Sequence, residues 1–290
     1  MAYLIAHRGA SAYAPEHTLA AYRLALEQGT DFIEPDLQIT KDGQLIALHD
    51  VTLERTTNVS ALFPHRFREE MQGDNPVRRW YASDFTLSEI KQLDAGAWFD
   101  PEFRGEGVPT FGEVLELARG RAGVYPETKA PEVYSGLGFE MERLLLAELG
   151  RYGLDREGAD PSTPIVIQSF SAESLRILRE ELGSDLPLTF LISGGDAHEW
   201  TSVEGLALIS QFASGIGPAK RLLTEDPGIV ERAHAAGLAV VPWTFGTSEA
   251  VGSQELRAEM THFLCVIGVD GLFTNNPDLF PREDPCSSLP

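Results

Sequence analysis

Two histidines close short apolar runs, a position from which a side chain can take part in proton transfer. His7 follows the run Tyr3–Ala6 and precedes Arg8, and His49 follows the run Leu45–Leu48. Breaking an ester requires a proton to be taken from one oxygen and given to another, so two such histidines favour acid–base chemistry. A histidine considered alone is more often structural. Arg8 adds a guanidinium that can bind two oxygens of a phosphate or carboxylate.

Three carboxylates could bind a cation. Glu34 and Asp36 are two residues apart in the run Asp31–Ile39, so both lie on one side of a strand. Side chains about 7 Å apart on one side of a strand repel strongly when both are ionised, unless a cation holds them. Glu127 and Lys129 also share one face and offer a third oxygen ligand and a positive charge. Oxygen ligands of this kind select Ca²⁺ or Mg²⁺, although two solvated acids are the default interpretation of an isolated pair.

Short apolar runs alternate with segments of helical periodicity along the chain. The predicted strands are Tyr3–Ala6, Asp31–Ile39, Leu45–Leu48, Gly123–Glu127, Ile165–Ser169, Leu188–Ile192, Ser214–Gly217, Ala239–Thr244 and Val269–Phe273. The predicted helices are Thr18–Gln28, Phe111–Ala118, Gly138–Leu149, Ala172–Leu182, Pro227–Ala236 and Gln254–Phe263. Pro35 removes a backbone donor from its strand, so we expect it to mark a frayed end or a bulge.

This alternation predicts an α/β protein in which about eight βα units close as a (β/α)₈ TIM barrel. An open, doubly wound sheet is the second choice, which the lack of G-x-G-x-x-G after the first strand weakens. Polar residues that close the strands would then meet at one rim of the barrel. Gln168 and Trp243 also close strands. Each alone is more often a core amide or a packed indole, and both are candidates for lining a substrate.

Residues 51–108 show no clean βα unit, which predicts a small insertion after the second barrel strand. A connection of this length is usually a lid or a small subdomain, and the alternative is a solvated cover over one barrel end. The length of 290 residues suggests about two domains, but barrels of ~250 residues often form one. We therefore expect residues 1–290 to form a single domain.

The charge of the chain limits its partners. It carries 44 acidic against 23 basic side chains, a formal net charge of -21. Nucleic acids and anionic membranes require a basic surface, so neither is expected as a partner. No apolar run approaches the ~20 residues that span a bilayer, so we expect no membrane insertion. Cys265 and Cys286 are too few for a disulfide framework, and no neighbouring His suggests a cysteine nucleophile.

The first residues contain no basic segment and no long apolar segment of a secretory signal. As printed, the sequence therefore favours a cytoplasmic protein, or a periplasmic or secreted one if a signal peptide has been removed.

The motifs around these residues resemble the glycerophosphodiester phosphodiesterase family. They occur in family order from the first strand to about Phe280. The segments are His-Arg-Gly-Ala at 7–10, Pro-Glu-His-Thr at 15–18, Glu34-x-Asp36, His-Asp-Val-Thr-Leu-Glu-Arg-Thr-Thr at 49–57, Asp-Ala-Gly-Ala-Trp-Phe at 94–99, Val-Pro-Thr at 108–110, Glu-Thr-Lys at 127–129, Gln-Ser-Phe at 168–170 and Gly-Leu-Phe-Thr at 271–274. Asn275 departs from the pattern, since the family commonly has Asp there, and Trp243-Thr-Phe-Gly246 lacks a polar residue often found in that motif.

The resemblance implies a TIM barrel that hydrolyses glycerophosphodiesters to glycerol 3-phosphate and an alcohol, as a monomer or homodimer. One divalent cation is implied, with Ca²⁺ expected first and Mg²⁺ second. The implied roles are acid–base catalysis by His7 and His49, phosphate binding by Arg8 and Lys129, and metal binding by Glu34, Asp36 and Glu127.

Two other functions remain open. The chain could be a lyase or a phospholipase D-like enzyme of the same superfamily that acts on phospholipids or lysophospholipids. It could also be a non-catalytic barrel that binds phosphate and metal, although binding alone needs no pair of histidines. The other histidines, His17, His65, His198, His234 and His262, are expected to be structural or on the surface. His17 is the one that could reach the rim.

Overall fold

The computed structural model describes residues 2–246, 253–282 and 286. The strands are β1 (Tyr3–His7), β2 (Phe32–Glu34), β3 (Asp36–Ile39), β4 (Leu45–Ala47), β5 (Arg68–Gln72), β6 (Asn75–Arg79), β7 (Gly123–Val124), β8 (Glu127–Thr128), β9 (Ile167–Ser169), β10 (Leu188–Ile192), β11 (Gly215–Pro218), β12 (Ala239–Val240) and β13 (Gly271–Thr274). The helices are α1 (Leu19–Glu27), α2 (Val59–Leu62), α3 (Leu87–Ile90), α4 (Phe111–Ala118), α5 (Pro131–Ser135), α6 (Met141–Arg151), α7 (Ala172–Arg176), α8 (Ala197–Trp200), α9 (Val203–Ile209), α10 (Lys220–Glu225), α11 (Gly228–Ala235) and α12 (Ser253–His262).

The parallel strands close into the predicted TIM barrel. Hydrogen bonding follows the orders β13–β1–β2–β7 and β3–β8–β9–β10–β11–β12. Pro35 separates β2 from β3, and Pro126 separates β7 from β8, so each pair is one interrupted barrel strand. The parallel bridge between Phe245 and Thr274 joins the region after β12 to β13. Pro35 therefore lies within the second barrel strand, between two ladder segments, and not at a frayed end.

One predicted strand has a different role. The run predicted as Leu45–Leu48 forms β4, which pairs antiparallel with β3, with Leu37 opposite Ala47. The turn between them is closed by Thr40, whose hydroxyl accepts from the backbone N–H of Gln44 at 2.9 Å. Because this turn is tight, the run folds back on its predecessor and does not join the barrel as a βα strand. The residue that follows β4 consequently lies at the amino end of β3, where the Leu48 N–H donates to the Asp36 carbonyl at 2.9 Å.

The segment between β4 and α4 builds a small core of its own. Leu53, Trp80, Phe85 and Ile90 are buried together there. The antiparallel hairpin β5–β6 extends from this core and carries exposed arginines. Backbone hydrogen bonds attach the segment to the barrel, among them those from the Lys41 N–H to the Phe85 carbonyl and from the Ala47 N–H to the Pro109 carbonyl, each 2.9 Å long.

The sequence analysis did not predict the short helices between β10 and α11. α8, α9 and α10 contain four to seven residues each, too short for a clear 3.6-residue period. The predicted helix Ala172–Leu182 is present, but after α7 it continues as a π-helical turn over Ile177–Glu181. None of the helices in the described ranges is both long enough and apolar enough to span a bilayer.

Cys265 and Cys286 form a disulfide, a pairing that the sequence analysis did not predict. Their Cα atoms are 5.2 Å apart, and the bond joins the π-helical turn Phe263–Ile267 to the tail of the chain. Two cysteines 21 residues apart carry no spacing signal, so this contact depends on where the fold places the tail.

The turn after β1 requires a glycine for two reasons. Gly9 has a φ of +84°, and a Cβ atom there would lie 2.7 Å from the carbonyl carbon of Ala21 in α1. Gly29 has a φ of +78°, but its Cβ would meet nothing within 4 Å. Both glycines have a positive φ, but only at Gly9 would an added Cβ atom collide with a neighbouring residue.

We predict that Gly9→Ala destabilises the protein more than Gly29→Ala, by about 1–3 kcal/mol, because only the first substitution overpacks α1 against the turn. Urea unfolding of both variants measures the difference. Equal losses of unfolding free energy would show that the close approach of α1 is not a constraint.

Candidate active site

His7 lies at the end of β1 and is partly buried. Its Nδ1 donates to the side-chain oxygen of Asn275 at 2.7 Å, and the amide nitrogen of Asn275 faces the Gly246 carbonyl at 3.5 Å. An amide oxygen only accepts, so the ring proton is on Nδ1 and Nε2 is left as an acceptor. Burial and the neighbouring Arg8 lower the pKa of His7 to about 3, which leaves the ring neutral at physiological pH.

Glu34, Asp36 and Glu127 form a buried acidic cluster. One carboxylate oxygen from each lies within 4.8 Å of the others. Strand register produces this arrangement, because Asp36 in β3 pairs with Glu127 in β8, and Glu127 pairs with Gln168 in β9. Burial and the negative charge of Asp36 raise the pKa of both glutamates well above their usual value. The protein alone therefore leaves this cluster short of positive charge.

Two basic groups partly neutralise the cluster. Lys129 Nζ lies 3.0 Å from Glu127 Oε1 and 3.5 Å from Asp36 Oδ1, and Arg8 Nε lies 3.4 Å from Asp36 Oδ2. The backbone N–H of Arg8 also donates to Glu34 Oε2 at 2.8 Å. Burial opposes ionisation of Asp36, but Lys129 and the other groups around this carboxyl outweigh it and hold its pKa well below the usual value.

The donor set fits a hard divalent cation. Three carboxylates supply oxygen ligands, and Gln168 stands beside them, its amide nitrogen donating to Glu34 Oε1 at 3.1 Å. The amide oxygen of Gln168 is buried and has no hydrogen-bond partner among the described residues. A buried acceptor without a donor is costly, so this oxygen suits either the cation or a substrate hydroxyl.

His49 follows β4 and is held by a carboxylate. Its Nδ1 donates to Asp50 Oδ1 at 2.5 Å, and its backbone carbonyl accepts from Gln38 Nε2 at 2.9 Å. The other oxygen of Asp50 accepts from Arg55 Nε at 2.5 Å. The two histidines thus have different partners, a neutral amide for His7 and an ionised carboxylate for His49.

The predicted site residues meet around a cavity of about 170 Å³ at the carboxyl ends of the strands. Its lining residues are His7, Arg8, Glu34, His49, Glu127, Lys129, Gln168, Phe170, Leu191, Trp243 and Phe273. Asp36 does not line the cavity but belongs to the acidic cluster on its wall. A larger cavity of about 630 Å³ opens at the opposite end of the barrel, beside Tyr3, Arg121 and Arg156, and its lining includes neither His7 nor His49.

One wall of the small cavity is aromatic. The Phe170 ring packs edge-to-face on Trp243 with centroids 5.4 Å apart, and Lys129 Nζ lies 5.4 Å from the Phe170 centroid. The Trp243 indole donates to the Gly217 carbonyl at 2.7 Å, which fixes its orientation. Phe170 is 40% exposed and was missed as a site residue, although it lies in the motif Gln168-Ser-Phe170.

Several polar residues that contact the site groups were not among the predicted site residues. They are Glu16, His17, Asp50, Arg55 and Asn275. The signal available for the first four was their position in the segments 15–18 and 49–57, two of the motifs that carry the family resemblance. His17, expected to be structural or on the surface, is buried and contacts Asp36.

Known proteins resemble this chain over nearly its whole length. The model of the "Glycerophosphoryl diester phosphodiesterase family" matches residues 7–279. A glycerophosphodiester phosphodiesterase of Bacillus subtilis is 38% identical over 288 residues, which cover 96% of this chain and 85% of that protein. Another from Caldanaerobacter subterraneus is 32% identical and covers 95% and 94%.

Solved structures agree with these relatives. A glycerophosphodiester phosphodiesterase from Agrobacterium tumefaciens superposes with a TM-score of 0.65 at 30% identity and covers 97% of this chain and 99% of that one. A phosphodiesterase from Oleispira antarctica, in complex with the product sn-glycerol-3-phosphate, superposes with a TM-score of 0.70 at 24% identity, with 95% and 94% covered. On the extent of these matches, the chain belongs to the glycerophosphoryl diester phosphodiesterase family.

Proposed function

We propose that this enzyme hydrolyses glycerophosphodiesters to sn-glycerol 3-phosphate and an alcohol by cation-dependent acid–base catalysis. The observation that carries the proposal is the meeting of His7, His49 and the acidic cluster around one cavity. The product bound to the Oleispira antarctica relative supports the choice of substrate. His17 and the remaining histidines have no role in proton transfer in this proposal.

Glu34, Asp36 and Glu127 would hold one divalent cation, for which Ca²⁺ is the first choice and Mg²⁺ the second. When bound, such a cation stabilises the negative charge that develops on phosphoryl oxygens. Arg8 and Lys129 contribute fixed positive charge beside the same position. Their role matters because the net charge of -21 repels an anionic substrate at long range.

The two histidines divide the proton transfers according to their partners. His7 is neutral with a free Nε2, so it accepts the proton of the attacking oxygen. The ring of His49 is oriented by its contact with the Asp50 carboxylate, and in this proposal it donates a proton to the leaving alcohol oxygen. Gln168 and the ring of Trp243 would line the substrate beside these groups.

We also propose that residues 1–290 act as one domain, with the 51–108 insertion completing the rim. Arg55 from this insertion contacts Glu16 in the loop after β1, and Glu106 Oε2 accepts from the Ala20 N–H at 3.3 Å. These contacts support an insertion that braces the loop after β1 at the rim, over one that is only a solvated cover.

We predict that His7→Ala and His49→Ala each lower the rate of glycerol 3-phosphate release from glycerophosphocholine by ~10²–10⁴-fold, because each removes one proton transfer. Circular dichroism and thermal unfolding should show a native fold. His234→Ala is the matched control, since His234 forms a comparable pair with Asp270 at 2.9 Å on a different part of the barrel. Near-normal activity in either site variant would contradict the assignment.

The nature of the product separates the alternatives. Phosphorus NMR of the finished reaction should show glycerol 3-phosphate, whereas a lyase would leave a cyclic phosphate and a phospholipase D-like enzyme would prefer lysophospholipid. Unchanged substrate in the presence of Ca²⁺ and Mg²⁺ would favour the non-catalytic barrel.

We predict that a chelator abolishes turnover and that added Ca²⁺ or Mg²⁺ restores it, because the acidic cluster otherwise lacks positive charge. The same cation should raise the unfolding temperature, since a ligand at a hundred times its Kd stabilises the native state by about 2.7 kcal/mol. Glu127→Gln should reduce this thermal shift. Full activity after exhaustive chelation would argue against a catalytic cation.

We further propose that the enzyme works in an oxidising compartment, the periplasm or the extracellular space, which the disulfide supports. We predict that protein alkylated in its native host before isolation, and then unfolded and analysed by mass spectrometry, carries no alkyl label at Cys265 or Cys286. Reduced cysteines at both positions would favour the cytoplasm.

A further inference from the structure

The segment Pro15–Thr18 connects β1 to α1, and its backbone is held in place at both ends. Thr18 caps α1 by accepting from the Ala21 N–H at 3.2 Å, and its hydroxyl donates to the Pro15 carbonyl at 2.7 Å. The His17 N–H donates to the Arg8 carbonyl at 3.1 Å. His17 has a φ of +58°, a left-handed conformation that only a few residue types, His among them, adopt readily. The segment is therefore fixed by hydrogen bonds of the Thr18 hydroxyl and of the His17 backbone.

His17 contacts one ligand of the proposed cation site. Its Nε2 donates to Asp36 Oδ2 at 2.9 Å, and its Nδ1 pairs with the Tyr22 hydroxyl at 2.8 Å. All three side chains are buried. Because a carboxylate only accepts, Nε2 carries a proton and the ring is held at both nitrogens. The Asp36 carboxylate is thereby given one orientation.

Glu16, the residue before His17, contacts two arginines of the site, Arg8 and Arg55. Its Oε1 accepts from Arg8 Nη1 at 3.2 Å, and both its oxygens accept from the two Nη atoms of Arg55 at 2.7 and 3.1 Å. Arg55 also binds Asp50, which in turn binds His49. This chain of contacts joins the loop after β1 to the loop that carries His49.

We propose that Pro15–Thr18 is a positioning segment with two separable functions. His17 orients Asp36 for cation binding, and Glu16, through Arg55 and Asp50, orients His49 for proton transfer. The inference rests on the function proposed above. Glu16, His17, Asp50 and Arg55 are positioning residues, since the groups they hold, and not they themselves, meet the cation or the reacting atoms.

The contacts of His17 are buried, whereas those of Arg55 with Glu16 and Asp50 are exposed to solvent. Residues that orient a ligand or a catalytic group typically change metal affinity or activity by ~10–100-fold when they are removed. A purely structural role would instead lower stability and affect cation binding and turnover together. The two functions are therefore distinguished by whether the two measurements change separately.

The first experiment measures cation affinity in the absence of substrate, by calorimetric titration of the whole enzyme with Ca²⁺. His17→Ala should weaken the Ca²⁺ affinity by ~10–100-fold, and turnover should largely recover at saturating Ca²⁺. His17→Gln, which keeps an N–H donor, should restore part of the affinity. His234→Ala removes a His–Asp contact of the same length elsewhere and should leave the affinity unchanged.

Tyr22→Phe provides a second variant if His17→Ala does not fold. It keeps the contact from His17 to Asp36 and removes only the hydroxyl at Nδ1. Loss of one such hydrogen bond should weaken Ca²⁺ binding by about fivefold. An unchanged Ca²⁺ affinity in every variant of His17 and Tyr22 that folds would overturn the assignment of His17.

The second experiment measures turnover at saturating Ca²⁺. Arg55→Ala should lower kcat by ~10–100-fold and leave the Ca²⁺ affinity unchanged, and Arg55→Lys should recover part of kcat. Arg68→Ala is the matched control, because Arg68, which lies in the hairpin β5–β6, makes a similar two-point contact with Asp84. Its kcat should equal that of the unmodified enzyme.

The outcomes separate this inference from the proposed function. If the unmodified enzyme neither binds Ca²⁺ or Mg²⁺ nor releases glycerol 3-phosphate, the proposed function fails. If it does both, but the His17 and Arg55 variants change affinity and kcat in parallel, the positioning segment is wrong while the function stands. If kcat of Arg55→Ala equals that of Arg68→Ala, the proposed orientation of His49 by Glu16, Arg55 and Asp50 is also refuted.

Discussion

Carboxylates a few ångströms apart in a buried site cannot all stay ionised unless positive charge is placed among them. At separations within 4.8 Å, each ionised pair costs at least about 3 kcal/mol at an effective dielectric constant of ~20. Lys129 and Arg8 both approach Asp36 and hold that carboxyl ionised. They do not suffice for Glu34 and Glu127, whose pKa values stay raised. The site is thus built with a deficit of positive charge that a cation would fill.

Barrel closure maintains this arrangement against the repulsion. The three acids come from two neighbouring barrel strands, and the ladder fixes neighbours in register, as with His7 opposite Glu34 and Asp36 opposite Glu127. Because those strands also form the core of the barrel, the acids cannot separate without breaking backbone hydrogen bonds. The stability of the whole fold therefore supports an electrostatically unfavourable rim, a trade that active sites commonly make.

The sequence predicts those parts of the site that depend on strand periodicity, and it does not predict the contacts made by loops. Glu34 and Asp36 were placed correctly because a strand has a period of two, and parallel strands bring their carboxyl ends to one rim. The role of Leu45–Leu48 was wrong because the closing turn before it decides its direction, and periodicity does not report direction. Partners such as Asn275 and Arg55 lie in loops, where sequence separation says little about contact, and no periodic pattern marks them.

The difference between the two histidines follows from the elements that carry them. His7 belongs to a barrel strand, so one neutral amide, that of Asn275, is enough to set its tautomer. His49 lies beyond β4, outside the closed barrel, and its ring is held by Asp50, which Arg55 holds in turn. A carboxylate in place of Asn275 would stabilise protonated His7 and remove the contrast between the rings. In this chain, the strand histidine is oriented by a neutral partner and the loop histidine by a charged one.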